Sequence, residues 1–194
     1  AQVIDGSLKF DSSKNQYLQF TPGSSGNRKT WTFSCWIKRN GIGDGSTNTD
    51  AEVIFSSDFN TADWGIIQLD NDNKLQSSVF AGSSAGLYTN ALFRDTGSFF
   101  HLCSVFDTTA TGNDKWRTYI NGVEQTYSNS NYPSDNTDYK FSQSGKVHRI
   151  GYGEWYADFQ MTQCYFIDGQ ALGPENFGFT DPLTNTWKPK KYTG

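Results

Sequence analysis

The sequence has little of what marks several large classes of protein. Among its 194 residues there is a single Met, and the apolar runs are far too short to cross a bilayer. The first ten residues, AQVIDGSLKF, contain neither a basic region nor a long apolar segment, so no signal peptide is visible. No Asn-x-Ser/Thr sequon occurs, so nothing points to the eukaryotic secretory route. We therefore expect no membrane insertion.

Positive charge is scarce as well. The 16 Lys and Arg residues stand against 20 Asp and Glu, which gives a net charge of -4 and an isoelectric point of about 5.1. Nucleic acids attract clustered basic side chains, so we expect no nucleic-acid partner. The segment 188–194 contains lysines and a proline and reads as a solvated, linker-like tail. It follows a single domain over residues 1–187, an ordinary size for an all-β domain.

Cysteine is present in an odd number and without any C-x-x-C pair. Both features argue against a disulfide framework and against a structural zinc site. The three cysteines, Cys35, Cys103 and Cys164, each lie inside an apolar, strand-like run. We therefore predict three buried free thiols that pack as small apolar side chains.

A β-hairpin is the strongest local signal that the sequence does contain. Asn121-Gly122 separates two alternating runs in WRTYINGVEQTY (116–127), and this dipeptide suits a type I′ turn because both of its residues adopt positive φ. A two-residue turn fixes the register, which pairs Trp116 with Tyr127 at the open end. One face of this hairpin is mostly apolar and the other polar, as in an antiparallel sheet with one buried side.

Period-two alternation recurs along the rest of the chain. Residues 30–38 alternate strictly, and FFHLCSVFD (99–107) is apolar on both faces, which predicts a central strand covered on both sides. Residues 40–50 and 128–145 read as polar loops, while 81–97 show no clear pattern. The sequence therefore predicts an all-β fold, a two-sheet antiparallel β-sandwich of the jelly-roll type. Further strands are predicted within 7–20 and over 52–57, 65–69, 74–80, 147–153 and 159–169.

Four motifs in order resemble a known family of sandwich domains. They are WTFSCWIKR (31–39), FHLCSVFDTT (100–109), WRTYINGVEQ (116–125) and RIGYG…FIDGQAL (149–172). Together they resemble the concanavalin A-like, laminin G-like jelly-roll domains over most of residues 7–177. In that family an acidic pair that binds calcium would fall on Thr162 and Gln163 here, so the resemblance carries no metal site over to these positions. Asp158 and Asp11 are the alternative oxygen donors.

A narrower resemblance concerns proteins of bacteriophage particles. The segments GNRKTWTFSCWIKR (26–39), NYPSDNTD (131–138), FIDGQAL (166–172) and WKPKKYTG (187–194) resemble domains of virion proteins, notably from marine tailed phages. This resemblance implies a structural module of a tail fibre, head fibre or capsid decoration, assembled in the bacterial cytoplasm. Its partners would be other virion proteins, host-surface glycan and, in a homotrimer, copies of itself. Proteins of that group continue past the last segment, which implies a longer parent chain.

Aromatic residues beside polar ones in loops suggest carbohydrate recognition. Sugars present apolar C–H faces together with hydroxyl groups, so lectin sites combine exposed rings with Asp, Asn and Gln. The other interpretation is that these aromatic residues close the ends of the sandwich or pack at a subunit interface. The candidate carbohydrate-binding residues are Trp155, Tyr156 and Asp158 in GYGEWYAD (151–158), with Trp64 and Tyr132 in other loops.

Catalysis has little support in the sequence. A retaining glycosidase needs two carboxylates about 5–5.5 Å apart, but the four glutamates are scattered and form no E-x-D-x-E pattern. His101 and His148 have no evident nucleophile partner. We expect a non-enzymatic domain without catalytic residues or cofactor. A free bacterial carbohydrate-binding lectin-like module and a glycan-cleaving enzyme of the same fold are the alternatives.

Overall fold

The computed structural model describes residues 6–42, 51–59 and 62–194. No helix in these ranges is long and apolar enough to cross a membrane. Short 3-10 helices occur at Ser12–Lys14, Gly112–Lys115 and Pro174–Asn176. The strands are β1 (Leu8–Lys9), β2 (Leu18–Phe20), β3 (Thr30–Arg39), β4 (Glu52–Ser57), β5 (Trp64–Leu69), β6 (Lys74–Phe80), β7 (Ser84–Leu92), β8 (Phe100–Asp107), β9 (Trp116–Ile120), β10 (Val123–Glu124), β11 (Tyr127–Asn131), β12 (His148–Ile150), β13 (Phe159–Asp168), β14 (Gly178–Thr180) and β15 (Trp187–Pro189).

Two antiparallel sheets form the body of the protein. Sheet A has the strand order β1-β13-β3-β8-β9-β10, and sheet B has the order β11-β7-β6-β5-β4-β12-β2. Strands β14 and β15 make a separate two-stranded hairpin. The predicted all-β, two-sheet antiparallel sandwich is therefore confirmed.

The main core lies between the two sheets and is rich in aromatic rings. Phe33 of sheet A stacks on Phe55 of sheet B with ring centroids 4.8 Å apart, and Trp31 stacks on Phe106 at the same distance. All four side chains are almost completely buried. Large rings of this kind bury extensive apolar area, so they hold the two sheets together without a disulfide.

The hairpin at Asn121-Gly122 forms as predicted at its turn but not at its open end. Asn121 and Gly122 have φ values of 49° and 79°, and Ile120 pairs with Val123. The predicted pairing of Trp116 with Tyr127 is wrong, because Tyr127 begins β11 and pairs with β7 in sheet B. Its hydroxyl instead accepts a hydrogen bond from the backbone N–H of Thr118 at 3.0 Å.

Strand β8 is central, as predicted, and its outer face is covered by the C-terminal segment. Its edges pair with β3 and β9. Cys103 and Val105 on its outer face form a second, smaller core with Phe177. The protein therefore has three layers, in which sheet A lies between sheet B and the C-terminal segment.

Trp187 anchors the C-terminal segment to sheet A. Its indole N–H donates to His101 Nδ1 at 3.1 Å, and its ring lies so close to Gly122 and Gly178 that a Cβ at either position would lie within 2.5 Å of it. Gly122 also has positive φ, which an L side chain rarely adopts. Glycine at these two positions therefore makes room for the indole.

The residues after Trp187 are folded onto the domain, which differs from the expected linker-like tail over 188–194. Lys188 and Pro189 pair with β14, and the backbone N–H of Lys190 donates to Phe177 O at 2.9 Å. The ring of Tyr192 lies 5.2 Å from that of Phe177. The aromatic side chains of this segment outweigh the solvating effect of its lysines.

Four strands lie wholly or mostly where the sequence pattern shows none, namely β7, β11, β14 and β15. Strand β7 falls within residues 81–97, and β11 begins at Tyr127 and extends into the predicted polar loop 128–145. The inward positions of β7 include the polar Thr89, and β11 has only Ser and Asn after Tyr127, so neither strand shows the apolar–polar alternation that marks a half-buried strand. Most of the predicted loop 40–50 lies outside the described residues.

The cysteines differ in burial. Cys35 and Cys103 are buried free thiols, as predicted. The prediction is wrong for Cys164, which is exposed. The register of β13 against β3 shifts between Thr162 and Tyr165, and Gln163 has a φ of 46°. This β-bulge turns the Cys164 side chain away from the packed face.

Candidate functional site

A shallow groove runs over β6 and β7 on the outer face of sheet B. Alternation along these strands sends Leu75 and Leu87 into the core and leaves Gln76 and Tyr88 on the outer face. Two open depressions of about 370 and 490 Å³ share Gln76, Tyr88 and Asn129, so they form one continuous groove. No other element among the described residues covers it.

The floor of the groove is a hydrogen-bonded row of polar side chains. Gln68 Nε2 donates to Gln76 Oε1 at 2.7 Å, and Gln76 Nε2 donates to Tyr88 Oη at 2.8 Å and to Ser78 Oγ at 3.0 Å. The amide of Gln76 is thereby fixed in one orientation. Because Tyr88 Oη accepts within this row, its own proton is free to be donated to a ligand.

Gly86 lines the floor of the groove beside Ser78. A Cβ at this position would lie 2.8 Å from Ser78 Oγ, which is closer than real Cβ atoms approach a neighbour. A side chain here would therefore fill the space above Ser78. The missing side chain lets a ligand approach the sheet backbone closely.

An aromatic side chain borders one end of the groove. Trp64 lies at the start of β5, where its ring is partly exposed and stacks on Phe80 with centroids 6.3 Å apart. Phe59 supports it from the other direction at 5.4 Å. These neighbours hold the indole in place, so a partly exposed apolar ring adjoins the polar floor.

Strand β11 forms the side of the groove. Asn131 Nδ2 donates to Ser84 O at 2.6 Å, which leaves its Oδ1 as an acceptor. The side-chain amide of Asn129 makes no hydrogen bond to the described residues. Both amides therefore offer hydrogen-bonding groups toward the groove.

The opposite end of the groove carries two carboxyl groups on the turn between β5 and β6. Asp70 Oδ1 accepts the backbone N–H groups of Asp72 and Lys74 at 3.0 and 2.8 Å. Burial raises the pKa of Asp70 above its ordinary value, because desolvation disfavours the charged carboxylate. Asp70 therefore shapes the turn, and its oxygen is already used by the backbone.

The predicted carbohydrate-binding residues are not all brought together. Of the five, Trp64 lines the groove. Tyr132 is partly buried and packs against the main core. Asp158 Oδ1 accepts a hydrogen bond from Asn40 Nδ2 at 2.9 Å. The predicted cluster is thus divided among the groove, the core and a loop contact.

Trp155 and Tyr156 lie on a loop over residues 151–157 that folds onto the outer face of sheet B. A Cβ on Gly153 would lie 3.1 Å from Val53 Cγ2 and 3.5 Å from Ile66 Cδ1. Both Val53 and Ile66 point away from the main core, yet they are buried. The loop therefore shields apolar side chains that the outer face would otherwise expose, and it borders the groove at β5.

A buried ion pair lies near Asp158. Arg39 Nε donates to Glu52 Oε2 at 2.5 Å, and Arg39 Nη1 donates to Asn73 Oδ1 and Phe93 O at 2.6 and 2.7 Å. Burial raises the pKa of Glu52 to about 7, although the Arg39 charge acts in the opposite direction. This pair joins β3 to β4 and serves the fold.

His101 has a hydroxyl partner that sequence reasoning missed, but the geometry does not suit nucleophilic catalysis. Its Nε2 lies 2.8 Å from Ser34 Oγ. Because Trp187 donates to Nδ1, the neutral ring carries its proton on Nε2 and donates it to Ser34. A base that must accept the serine proton needs the opposite arrangement. Burial lowers the pKa of His101 to about 4.

His148 is also buried and neutral. Its Nε2 accepts the backbone N–H of Ser142 at 3.0 Å, and its Nδ1 lies 2.9 Å from Lys146 O. Burial lowers the pKa of this ring. In the ranges that the structure describes, no group of three or more His, Cys, Asp or Glu side chains is arranged to hold a metal ion.

Sequence reasoning missed most of the groove because its residues come from three separate segments. Gln76 and Tyr88 meet only through the pairing of β6 with β7, and Asn129 joins them through β11. The available signal is the alternation in KLQSSVF, which places Gln76, Ser78 and Phe80 on one face.

The architecture and the sequence agree on a family. Residues 11–171 match the concanavalin A-like lectin/glucanases superfamily. The chain belongs to this superfamily. No curated protein matches the chain.

Solved structures with the concanavalin A-like fold are similar over most of this chain. The binding domain of botulinum neurotoxin serotype D has 14% identity and a TM-score of 0.60, covering 95% of this chain and 49% of that one. A heptameric SAP-like pentraxin from Limulus polyphemus has 13% identity and a TM-score of 0.52, covering 84% and 71%. A Trypanosoma rangeli sialidase in complex with sialic acid has 9% identity and a TM-score of 0.51, covering 76% and 22%.

These similarities concern the fold alone, because each identity lies far below a quarter. The chain spans about half of the toxin binding domain and about a fifth of the sialidase. The same fold thus occurs within chains described as a toxin binding domain, a pentraxin and a sialidase. The function of this member has to be argued from its own surface.

Proposed function

We propose that this concanavalin A-like domain binds carbohydrate in the groove on the outer face of sheet B. The observation that carries the proposal is the combination of an aromatic ring, Trp64, with a floor of amides and hydroxyls centred on Gln76 and Tyr88. Apolar rings match the C–H faces of a sugar, and fixed polar groups match its hydroxyls. Gly86 lets the sugar ring approach the sheet.

We propose that this binding is not accompanied by catalysis. A retaining glycosidase places two carboxylates about 5–5.5 Å apart on either side of the scissile bond. Among the described residues that line the groove, the carboxyl groups are Asp70 and Asp72, which share one turn at one end. A glycan-cleaving enzyme of the same fold is the alternative, and release of reducing ends from a bound glycan would support it.

Glycan-array binding of two groove variants tests the proposed site. We expect Trp64→Ala to weaken binding about 10-fold or more, because it removes the stacking surface. We expect Gly86→Val to weaken it as strongly, because its side chain fills the floor above Ser78. The melting temperature of each variant should be recorded alongside the binding signal.

Trp155→Ala serves as the matched control, since Trp155 is also a partly exposed tryptophan on the same face of the protein. It should keep the binding that Trp64→Ala loses. If Trp155→Ala instead abolishes binding while Trp64→Ala does not, the site is the one predicted around 151–158. If the unaltered domain binds no glycan, carbohydrate recognition is contradicted.

We further propose that the domain is a structural or appendage module of a bacteriophage virion that contacts host-surface glycan. The support is the resemblance of residues 26–39, 131–138, 166–172 and 187–194 to domains of phage virion proteins. Other virion proteins would then be its partners, with a homotrimer as a fitting assembly, and the virion its location. A free bacterial lectin-like module is the alternative.

Electron microscopy of phage particles labelled with an antibody against this domain tests the virion assignment. We expect label on tail fibres, head fibres or the capsid surface. Label with the groove directed outward and accessible to glycan would support adhesion, whereas a groove sealed against a neighbouring chain would support assembly alone. The assignment would be contradicted if particles of the phage that encodes the domain carry no label after mild denaturation.

A further inference from the structure

Arg149 stands out on the outer face of sheet B because no described residue acts as its counter-ion. It lies on β12 between two inward-facing residues, His148 and Ile150. In the described part of the chain it forms neither an ion pair nor a hydrogen bond through its guanidinium. The partly buried Arg28 and the fully buried Arg39, by contrast, each have a carboxylate or carbonyl partner.

The guanidinium of Arg149 is held with one edge buried and one edge open. Its Nε is sealed from solvent and has no partner, whereas the two Nη groups keep contact with solvent. The guanidinium carbon lies 5.5 Å from the centroid of the Tyr152 ring. The open Nη groups present parallel N–H donors in the geometry that a carboxylate accepts with both oxygens.

The Tyr152 ring beside Arg149 belongs to a cluster of three tyrosine rings. Tyr152 and Tyr156 stack with centroids 4.4 Å apart, and Tyr17 lies 5.2 Å from Tyr152 and 6.1 Å from Tyr156. Their hydroxyls make no hydrogen bond to the described residues, and Tyr17 is 39% exposed. The cluster therefore combines a cation, apolar ring faces and free hydroxyls at one place.

Strand pairing puts this cluster on the same face as the groove but apart from it. Ser78, Ile66, Ser56 and Arg149 are cross-strand neighbours on successive strands from β6 to β12. Three strand spacings of about 4.8 Å separate Ser78 from Arg149, so the span is roughly 14 Å. The loop over 151–157 lies on Ile66 between them.

From this arrangement we propose that Arg149 and the tyrosines form a second subsite, which binds the carboxylate of an acidic sugar such as a uronic acid. The guanidinium pairs with the carboxylate, and the tyrosine rings cover the apolar side of the sugar. The tyrosine hydroxyls form hydrogen bonds with the hydroxyls of the sugar. This inference rests on the proposed carbohydrate binding and names a charged class of glycan within it. The uncharged remainder of the glycan binds in the groove, whose floor is neutral.

Binding to paired glycans tests the subsite. Each acidic oligosaccharide on an array is placed beside its own methyl ester, and the best pair is then measured by calorimetry. We expect the acid to bind at least 10-fold more tightly than the ester, because hydrogen bonds to ionised groups are about twice as strong as neutral ones. Arg149→Gln should remove this preference, and raising the salt concentration should weaken it.

Arg94→Gln provides the matched control, because Arg94 is exposed and has no ion pair with the described residues. It makes the same change in net charge and should leave the preference for the acid intact. Equal binding of acid and ester, or an unchanged preference in Arg149→Gln, overturns the subsite. If the subsite is overturned but neutral glycans still bind through Trp64, the groove proposal stands. If no glycan binds at all, the subsite and the groove proposals are both contradicted.

Discussion

Replacing Arg39 with Met is expected to lower the free energy of unfolding by about 3–5 kcal/mol, the usual cost of removing one partner from a buried ion pair. The substitution keeps much of the side-chain volume but removes donors to Glu52, Asn73 and Phe93. Three buried acceptors are then left without a partner. Urea unfolding followed by tryptophan fluorescence measures the loss.

The pH dependence of that loss has a definite sign. Burial already raises the pKa of Glu52 to about 7, and the Arg39 charge opposes the rise, so the pKa climbs further without Arg39. A carboxyl with a raised pKa in the folded state stabilises at low pH and loses that contribution as pH rises. The cost of Arg39→Met should therefore be smaller at pH 5 than at pH 8.

An exposed arginine gives the comparison for this result. Arg94→Met should change the free energy of unfolding by less than about 0.5 kcal/mol, as most surface substitutions do. A similar loss in both variants would show that the ion pair has no special importance. The same conclusion would follow if the loss of unfolding free energy caused by Arg39→Met became smaller as pH rises.

Acidification from pH 7 to pH 4 is expected to remove about 3 kcal/mol of stability through His101 alone. Burial lowers its pKa from 6.5 to about 4, and each unit corresponds to about 1.4 kcal/mol. Between these values the unfolded chain binds the proton and the folded protein does not, so stability falls as pH falls. The difference between the unaltered protein and His101→Gln isolates this contribution, since Glu52 acts with the opposite sign over pH 4.5–7.

A local signal should accompany the loss. Nδ1 of His101 accepts the indole N–H of Trp187, so a proton on Nδ1 would place two donors face to face. The Trp187 indole N–H resonance of the folded protein should therefore shift only as pH approaches about 4, where folded His101 itself takes up the proton. His148→Gln should remove its own acid-sensitive component but leave this resonance unchanged. A pH-independent difference between the unaltered protein and His101→Gln would contradict the prediction.

The fold could be predicted from local patterns because the sandwich is built from them. Asn121-Gly122 determines a turn through its own backbone preferences, and the double-faced apolar run at 99–107 requires cover on both sides. What local patterns do not contain is the choice of partner strand. Tyr127 continues the alternation of its hairpin, yet the free edge of β7 takes it into the other sheet.

The candidate sites, like the fold, could be predicted from the sequence only in part. Trp64 could be singled out as an aromatic residue in a polar loop, but Gln76 and Asn129 have no signal until strand pairing brings them together. Alternation predicts that Arg149 points outward. It cannot predict that no carboxylate of the described ranges pairs with Arg149, because that depends on which residues the neighbouring strands place opposite.

The loop over 151–157 divides the open surface of the sandwich into two compartments. Since it is seated on Val53 and Ile66, a change in its length would reshape the groove and the tyrosine cluster in a single step. The turn between β14 and β15 lies on the opposite side, where sheet A is already covered. Changes in the first loop would thus alter which ligand the domain binds. Changes in the second would alter only the opposite surface, so ligand binding and attachment to a partner could diverge independently.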